Sequence, residues 1–207
     1  MAQDRLRQVN RRIQRYFDER AERWDEIMPS DVAERVAELM ARLDVRAGQW
    51  VLDVAAGTGT LAAVLLPRVG PEGRVVSMDI AWNMARMIQR RQMDRRAAPL
   101  QADAVQPPFG RGAFDWVICN NCFPHFEDQP RTVQELGCAL KPGGRLVVCH
   151  TNSREGINAH HREVGGLVGG HELPDDATMR SYFEAAGLSI EQFENAEAHY
   201  LVTGRGN

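Results

Sequence analysis

The chain has 207 residues and a formal net charge of −3, because 28 Asp and Glu residues oppose 25 Lys and Arg residues. This length suits one compact domain, and 43% apolar with 26% charged residues excludes a mainly disordered chain, a collagen and a disulfide scaffold. The sequence has no run of about 18 apolar residues that would span a bilayer and no secretory signal, so we expect a cytoplasmic protein without a membrane partner.

The first predicted elements are amphipathic helices. Apolar residues recur at helical spacing between Leu6 and Trp24, which predicts one or two helices over residues 4–26. Asp31 is a typical N-cap residue, and the apolar positions after it predict another helix that ends before Gly48.

From Trp50 onward, short apolar strands alternate with helical stretches. The predicted strands are Trp50–Val54, Arg74–Met78, Pro99–Ala102, Phe114–Cys119 and Arg145–His150, with helices near 60–66, 83–96 and 130–140. Such a pattern predicts an α/β fold with a parallel sheet that helices cover on both faces. A helix at 175–186 and strands at 188–194 and 198–203 complete the prediction.

A glycine-rich turn, Ala55-Ala56-Gly57-Thr58-Gly59, joins the first strand to a helix. Glycine lets a ligand approach the backbone closely, and the helix N-terminus lies beside it, so the turn predicts a binding site. Asp53 precedes the turn, and Asp79 and Asp103 end the next two strands. Asp79 can accept hydrogen bonds from both ribose hydroxyls of an adenosine cofactor, and Asp103 could meet the adenine edge.

Two classes of adenosine cofactor could bind at this loop. Gly57-x-Gly59-x-x-Ala62 fits a loose dinucleotide fingerprint, which favours a nicotinamide cofactor. Asp53, however, would repel a pyrophosphate, whereas it suits the amino group and sulfonium of S-adenosylmethionine. The later Lys141–Gly144 stretch, typical of a turn, also has no role in a nicotinamide site. The sequence therefore favours S-adenosylmethionine.

Residues 48–150 resemble a class I S-adenosylmethionine-dependent methyltransferase of the type 11 and type 25 kind. The motifs that carry the resemblance are Val51–Gly59, Val76–Ile80, Ala102–Ala104, Phe114–Ile118 and Leu140–Gly144. The resemblance implies a Rossmann-like, doubly wound seven-stranded sheet, mostly parallel, with an antiparallel C-terminal hairpin and an N-terminal helical cover. The family usually has glycine at the position of Ala55.

The resemblance also implies a set of cofactor contacts. These are Tyr16, Trp24, Asp53, Ala55, Gly57, Thr58, Gly59, Asp79, Ile80, Asp103, Ala104 and Asn120. Asp115, at the start of the fourth strand, is instead interpreted as structural.

Histidines are concentrated near the end of the fifth strand, at positions 150, 160, 161 and 171. Together with His125, in the loop after the fourth strand, they favour an acceptor site. We predict His125, His150 and His161 as catalytic residues, and the segment 151–174 as a cover over the acceptor. A metal held by these histidines is an alternative without a tight ligand motif, so we predict no metal. The cysteines, including the CxxC pair Cys119 and Cys122, are interpreted as buried, reduced thiols.

We predict one methyltransferase domain over 1–207, made of an N-terminal cover (1–47), a cofactor-binding core (48–150), an acceptor-site insert (151–174) and a C-terminal helix and hairpin (175–207). The expected reaction is in-line methyl transfer to an O, N, S or C atom of a small molecule, by a monomer or homodimer without a nucleic-acid partner.

Two alternatives remain open. The first is an RNA or protein methyltransferase, because Arg86, Arg90, Arg91, Arg95 and Arg96 fall on one predicted helix. The second is an S-adenosylmethionine-binding protein with metal- or histidine-assisted chemistry of another kind.

Overall fold

The computed structural model describes residues 2–91 and 96–207, with side chains described from residue 4 onward. Its helices are α1 (Ala2–Asp18), α2 (Trp24–Ile27), α3 (Val32–Ala41), α4 (Thr60–Val69), α5 (Trp82–Arg90), α6 (Gln129–Cys138), α7 (Arg154–Val164) and α8 (Asp176–Ala185). Its strands are β1 (Trp50–Val54), β2 (Arg74–Asp79), β3 (Ala97–Gln101), β4 (Phe114–Asn120), β5 (Leu140–His150), β6 (Ser189–Ala196) and β7 (His199–Arg205). Two 3₁₀ turns, Ala21–Arg23 and Phe123–His125, join neighbouring elements.

The strands of the described chain form one sheet in the order β3-β2-β1-β4-β5-β7-β6. Strands β1 to β5 pair in parallel, whereas β7 runs antiparallel to both β5 and β6. The predicted seven-stranded sheet with an antiparallel C-terminal hairpin is therefore confirmed. The strand order reverses between β1 and β4, and ligands bind beyond the carboxyl ends of the strands at such a point.

Both faces of the sheet are buried because its central strands are almost continuously apolar. Val51, Leu52 and Val54 of β1 have no exposed surface. Val51 packs in a cluster with residues of α3 and α4, whereas Leu52 and Val54 pack in a second cluster with residues of α6 and α8. Helices therefore cover both faces, as the alternation of strands and helices predicts.

The stretch Lys141–Gly144, predicted as a turn, lies inside β5 as a bulge. Phe114 pairs with Leu140 and Trp116 pairs with Arg145, so four residues of β5 stand opposite one residue of β4. Gly143, with φ of +75°, supplies the left-handed conformation that lets the chain loop out and rejoin the ladder.

Among the predicted boundaries that differ from the structure are those of β3 and α5. β3 begins at Ala97 instead of Pro99, because its pairing with β2 starts there. α5 ends at Arg90, and residues 92–95, including Arg95, lie outside the described residues. The five arginines predicted on one helix are therefore divided: Arg86 and Arg90 lie in α5, while Arg91 follows it.

The N-terminal helices cover the carboxyl edge of the sheet. The amide N–H of Asn83, in α5, donates to the carboxylate of Asp18 over 2.7 Å, and Ala21 packs against Met84. Asp31 takes the N-cap position of α3 as predicted, although its side chain makes no capping hydrogen bond.

Candidate functional site

The glycine-rich turn after β1 has the backbone conformation that its sequence requires. Gly57 and Gly59 have φ of +56° and +93°, and Gly59 immediately precedes α4. Ala55 also has a positive φ of +52°, in the left-handed region that costs a residue with a Cβ roughly 1–2 kcal/mol. The alanine that departs from the family pattern is thus a point of backbone strain beside the loop.

Asp79 organises this loop from the end of β2. Its carboxylate accepts hydrogen bonds from the amide N–H groups of Gly57 over 2.8 Å and Ala81 over 2.7 Å. Burial raises the pKa of Asp79 to about 6, against the opposing effect of these two donors. A carboxylate has about four acceptor positions, so two remain for a ligand.

Asp53 is a buried carboxylate with an unsatisfied oxygen. It is only 1% exposed, and its Oδ2 has no hydrogen-bond partner among the described residues. Burial, followed by the negative charge of Asp79, raises the pKa of Asp53 well above its ordinary value, although Ala62 N–H donates to it. An unpartnered buried acceptor of this kind is suited to a donor or a cation from a ligand.

Asp103 lies two residues beyond β3 and faces the N-terminal cover. Its Oδ2 accepts from the side-chain amide of Asn10 over 2.5 Å, and its Oδ1 accepts from Val105 N–H over 3.1 Å. The contact with Asn10 joins α1 to the carboxyl edge of the sheet. This partner is 93 residues away in sequence, so the sequence pattern did not identify it.

Aromatic residues of the N-terminal cover lie against the glycine loop. Phe17 packs edge to face against both Tyr16 and Trp24, with ring centroids 5.2 and 5.5 Å apart. The indole Nε1 of Trp24 lies 3.8 Å from the position that a Cβ on Gly57 would occupy. The hydroxyl of Thr58 donates to Asp25 over 2.8 Å, which fastens the cover to the loop.

The three predicted catalytic histidines come together from separate elements. His125 ends a 3₁₀ turn after β4, His150 ends β5, and His161 lies in α7. The ring centroids of His125 and His161 are 4.9 Å apart, and Phe17 packs 5.2 Å from His125. His150 Nε2 is buried without a hydrogen-bond partner among the described residues.

Burial keeps these histidines neutral. It lowers the pKa of His150 to about 3, with a further contribution from His161. The pKa of His125 is also well below its usual value, because of burial and then the neighbouring His161, His171 and His150. The pKa of His161 is lowered by burial, against a hydrogen bond to the backbone of His171. A neutral imidazole presents a lone pair that can accept a hydrogen bond, and the lowered pKa makes it a weaker base than a free histidine.

One cavity of about 530 Å³ joins the two groups of residues. Every predicted catalytic and cofactor residue lines it except Gly59, which immediately precedes α4. Phe17, predicted on an apolar helix face, and Asn10, which belongs to no motif, also line the cavity. His171 belongs to the clustered histidines but is not among the predicted catalytic residues, and it contacts His125.

Two further features of the described residues bear on the function. No three His, Cys, Asp or Glu side chains in 4–91 and 96–207 are placed to hold a metal ion. Within those limits, too, no helix is long and apolar enough to cross a membrane. All four cysteines are free, and Cys119, Cys122 and Cys149 are buried.

Comparisons with known proteins agree with this architecture. A family model described as a methyltransferase domain matches residues 51–144. The ubiquinone/menaquinone biosynthesis C-methyltransferase UbiE of Pseudomonas putida is 41% identical over 108 residues, which cover 50% of this chain and 42% of that protein. The demethylmenaquinone methyltransferase of Clavibacter sepedonicus is 30% identical over 183 residues, which cover 77% of this chain and 74% of that protein.

The chain belongs to the class I S-adenosylmethionine-dependent methyltransferases. A solved methyltransferase of this kind from Aquifex aeolicus has the same fold, with a TM-score of 0.73 and 18% identity over 91% of this chain and 97% of that one. S-Adenosylmethionine is accordingly the cofactor of this methyltransferase. The share of each relative that aligns with this chain differs: the alignment covers 42% of the P. putida protein and 74% of the C. sepedonicus protein.

Proposed function

We propose that this methyltransferase acts on a small molecule with an aromatic hydroxyl, bound beside the histidines in the cavity. The observation that carries the proposal is the continuity of the cavity, which places buried carboxylates at one end and neutral histidines at the other. A volume of about 530 Å³ is in the range of sites for small ligands.

The carboxylate end fits S-adenosylmethionine. The unpartnered Oδ2 of Asp53 would face the cationic part of the cofactor, and the free acceptor positions of Asp79 would accept from the ribose hydroxyls. Asp103 and Ala104 would border the adenine, while Tyr16 and Trp24 would cover the loop from α1 and α2. When bound, the cofactor supplies a methyl group on a sulfonium; a nucleophile attacks the methyl carbon in line and displaces the sulfur as a thioether.

The histidine end fits an acceptor that must lose a proton. His125, His150 and His161 are neutral at pH 7, so each presents a lone pair to a hydroxyl. The pKa of His161 is lowered least of the three, so we assign His161 as the base that accepts the proton. Removing that proton raises the electron density on the oxygen and on the conjugated ring carbons. The oxygen or ring carbon forms a bond to the methyl group while the methyl–sulfur bond breaks and the thioether leaves. In methylation at oxygen the hydroxyl proton stays on the histidine. In methylation at carbon the ring carbon then loses its own hydrogen as a proton and the hydroxyl regains one, so one proton is released in either case.

The names of the relatives support an aromatic acceptor of the quinol type. Several are named for C-methylation in ubiquinone and menaquinone biosynthesis. A reduced quinone has the hydroxyl that the histidines require, adjacent to a ring carbon that becomes nucleophilic when the hydroxyl is deprotonated. We therefore place hydroquinones first among candidate acceptors, with methylation at carbon.

Three of the five arginines that favour a polymer substrate make contacts within the chain. Arg90 pairs with Glu22 over 2.9 Å, and Arg91 pairs with Asp25. The guanidinium of Arg96 donates to the backbone oxygen of Gly70. These contacts partly neutralise the arginines, which favours the small-molecule acceptor over a polymer.

We further propose that 1–47, 48–150, 151–174 and 175–207 act as one domain, because the first and third of these segments contribute walls to a cavity that the second builds. The four free cysteines suit a reducing compartment such as the cytoplasm. Sedimentation of the purified protein will distinguish a monomer from a homodimer.

The experiment is a panel of acceptors with a direct assay for S-adenosylhomocysteine by mass spectrometry. Purified protein and S-adenosylmethionine are mixed with hydroquinones, phenols, catechols, thiols, amines and RNA in separate reactions. We expect product with a hydroquinone, and at least a 10-fold lower rate with His161→Gln. Turnover with RNA alone, or His125→Gln, His150→Gln and His161→Gln all at the parental rate, would contradict the proposal.

A further inference from the structure

His171 contacts both His125 and His161 through different atoms. Its ring Nδ1 lies 2.9 Å from Nδ1 of His125, and its backbone oxygen lies 2.6 Å from Nδ1 of His161. Two histidines that line the cavity are thus held by one residue of the segment 151–174. These contacts determine which nitrogen of each ring carries the proton.

The state of His161 follows from the chemistry of its partner. A backbone carbonyl only accepts hydrogen bonds, so Nδ1 of His161 must carry the proton at this distance. In the neutral ring the other nitrogen, Nε2, is then an acceptor with a free lone pair. His161 is 8% exposed and lines the cavity.

The pair formed by His125 and His171 shares one proton between two Nδ1 atoms. One of the two nitrogens must donate and the other must accept, since two lone pairs at 2.9 Å would repel each other. If His171 donated, Nε2 of half-buried His125 would present an N–H group to the cavity, whereas if His125 donates, its Nε2 presents a lone pair there. The proposed function needs the lone pair, so we assign His125 as the donor.

We propose that His171 is a positioning residue that fixes His125 and His161 as Nδ1–H tautomers and leaves both Nε2 atoms free to accept a proton in the cavity. This inference rests on the proposed function for its catalytic meaning and for the assignment of His125, whereas the tautomer of His161 follows from its contact alone. His171 is partly exposed, so its own Nε2–H has access to water while its Nδ1 accepts from His125.

The surrounding segment holds His171 in place independently of its ring. The side chain of Asn158 accepts from Leu173 N–H over 2.8 Å and donates to Leu173 oxygen over 3.0 Å. His171 N–H donates to Val168 oxygen over 2.9 Å, and both Leu173 and Val168 are buried. Substitution of the His171 ring therefore leaves the backbone oxygen that His161 uses.

Nitrogen-15 NMR of the histidine rings tests the tautomers in the protein without ligand. In the parent we expect His125 and His161 as Nδ1–H. His171→Ala removes the acceptor of His125 and should release it to the Nε2–H form, while His161 keeps its carbonyl and stays unchanged. His171→Asn places an amide oxygen near the lost Nδ1 and should restore His125. The matched control is Glu172→Gln, which loses an exposed ion pair with Arg162 and should change neither ring.

Kinetics supply the second measurement. With an accepted hydroquinone, His171→Ala should lower kcat about 10-fold, because part of the catalytic advantage of a positioned base is lost. His171→Asn should recover most of it, and calorimetric affinity for S-adenosylmethionine should be unchanged in both. The pH profile of kcat should also shift in His171→Ala, because His171 is one of the three histidines, with His150 and His161, that lower the pKa of His125. The groups that face His171 itself are His161 and Glu127.

The outcomes separate the two proposals. If no acceptor is methylated but the NMR shifts follow these expectations, the proposed function fails and the positioning role in the folded chain stands. If His125 stays Nδ1–H in His171→Ala, or if Ala and Asn at position 171 reduce kcat equally, the positioning role is wrong.

Discussion

Replacing Asp53 by asparagine should separate stability from cofactor binding. The carboxylate is 1% exposed, has one oxygen without a partner, and lies close enough to Asp79 for its charge to raise the pKa of Asp53. Asparagine has nearly the same shape but carries no charge, and its amide places a donor where the second negative oxygen stood. Asp53→Asn should therefore stabilise the protein when no cofactor is bound and weaken the binding of the cofactor.

The size of both effects follows from the burial of this group. An unsatisfied buried polar group costs about 1–3 kcal/mol, so removing the charge should add about 2 kcal/mol to the free energy of unfolding. For a chain of this length that corresponds to a melting temperature about 4–8 °C higher. A hydrogen bond to a charged group contributes about 1.5–3 kcal/mol, so affinity for S-adenosylmethionine should fall about 10- to 100-fold.

The pH dependence of the gain in stability has a definite sign. Because the pKa of Asp53 is raised in the folded protein, its ionised form is disfavoured there, and the cost is present above the folded pKa. The difference between Asp53→Asn and the parent should shrink as pH falls and vanish below the unfolded value near 3.8.

Calorimetric melting without ligand and titration with S-adenosylmethionine measure the two effects. Asp115→Asn is the matched control, because Asp115 accepts from Trp50 N–H over 2.8 Å and from the Lys141 ammonium over 2.7 Å, away from the cavity. It should lower the melting temperature and leave affinity unchanged. An Asp53→Asn protein that melts below the parent, or binds cofactor equally well, would refute the reasoning.

Three further predictions test the loop, the cover and the histidines. Ala55→Gly relieves a φ of +52° and should stabilise by about 0.5–1 kcal/mol in urea unfolding, whereas Ala56→Gly, at a buried position without positive φ, should destabilise. Trp24→Ala should weaken S-adenosylmethionine binding about 10-fold by calorimetry, whereas Trp50→Ala, at an exposed position, should not; equal losses would contradict the cover. His150→Gln should make the free energy of unfolding less dependent on pH in the acid range. The folded pKa of His150 is about 3, so below about pH 6.5 the unfolded chain binds a proton that the folded protein does not. In the parent this difference should lower the free energy of unfolding by about 2 kcal/mol between pH 7 and pH 5. The last prediction fails if urea midpoints of parent and variant fall in parallel over that range.

The position of the carboxylates at one end of the cavity could be predicted because sheet topology alone brings them together. In a parallel sheet the carboxyl ends of neighbouring strands share one edge, so Asp53 and Asp79 had to lie near the glycine loop wherever the helices packed. The same reasoning placed Asp103 correctly after β3. These positions depend on local strand assignment, which near-continuous apolar runs make clear.

The contacts made by the added segments could not be predicted in this way. The partner of Asp103 is Asn10, and its position depends on how α1 packs across the sheet. The partner of His125 is His171, 46 residues later, and its position depends on the path of the chain after α7. No periodicity or fixed spacing in the sequence indicates either contact, because each forms where two elements pack together in the folded chain.

The two ends of the cavity oppose each other in their effect on stability. The raised pKa values of Asp53 and Asp79, the latter about 6, mean that their ionisation destabilises the folded protein as pH rises. The lowered pKa values of His125 and His150 mean that the unfolded chain binds more protons as pH falls below about 6.5, which destabilises the fold on that side. Without ligand, these groups together favour a maximum of stability near pH 6.

S-Adenosylmethionine should increase stability at neutral and alkaline pH, because it supplies the cation and the donors that the carboxylates lack. It should have little effect on the loss of stability at acid pH, which the histidines cause. The burial that lowers the pKa of the histidines is thus the same burial that raises the pKa of the carboxylates and makes their ionisation costly.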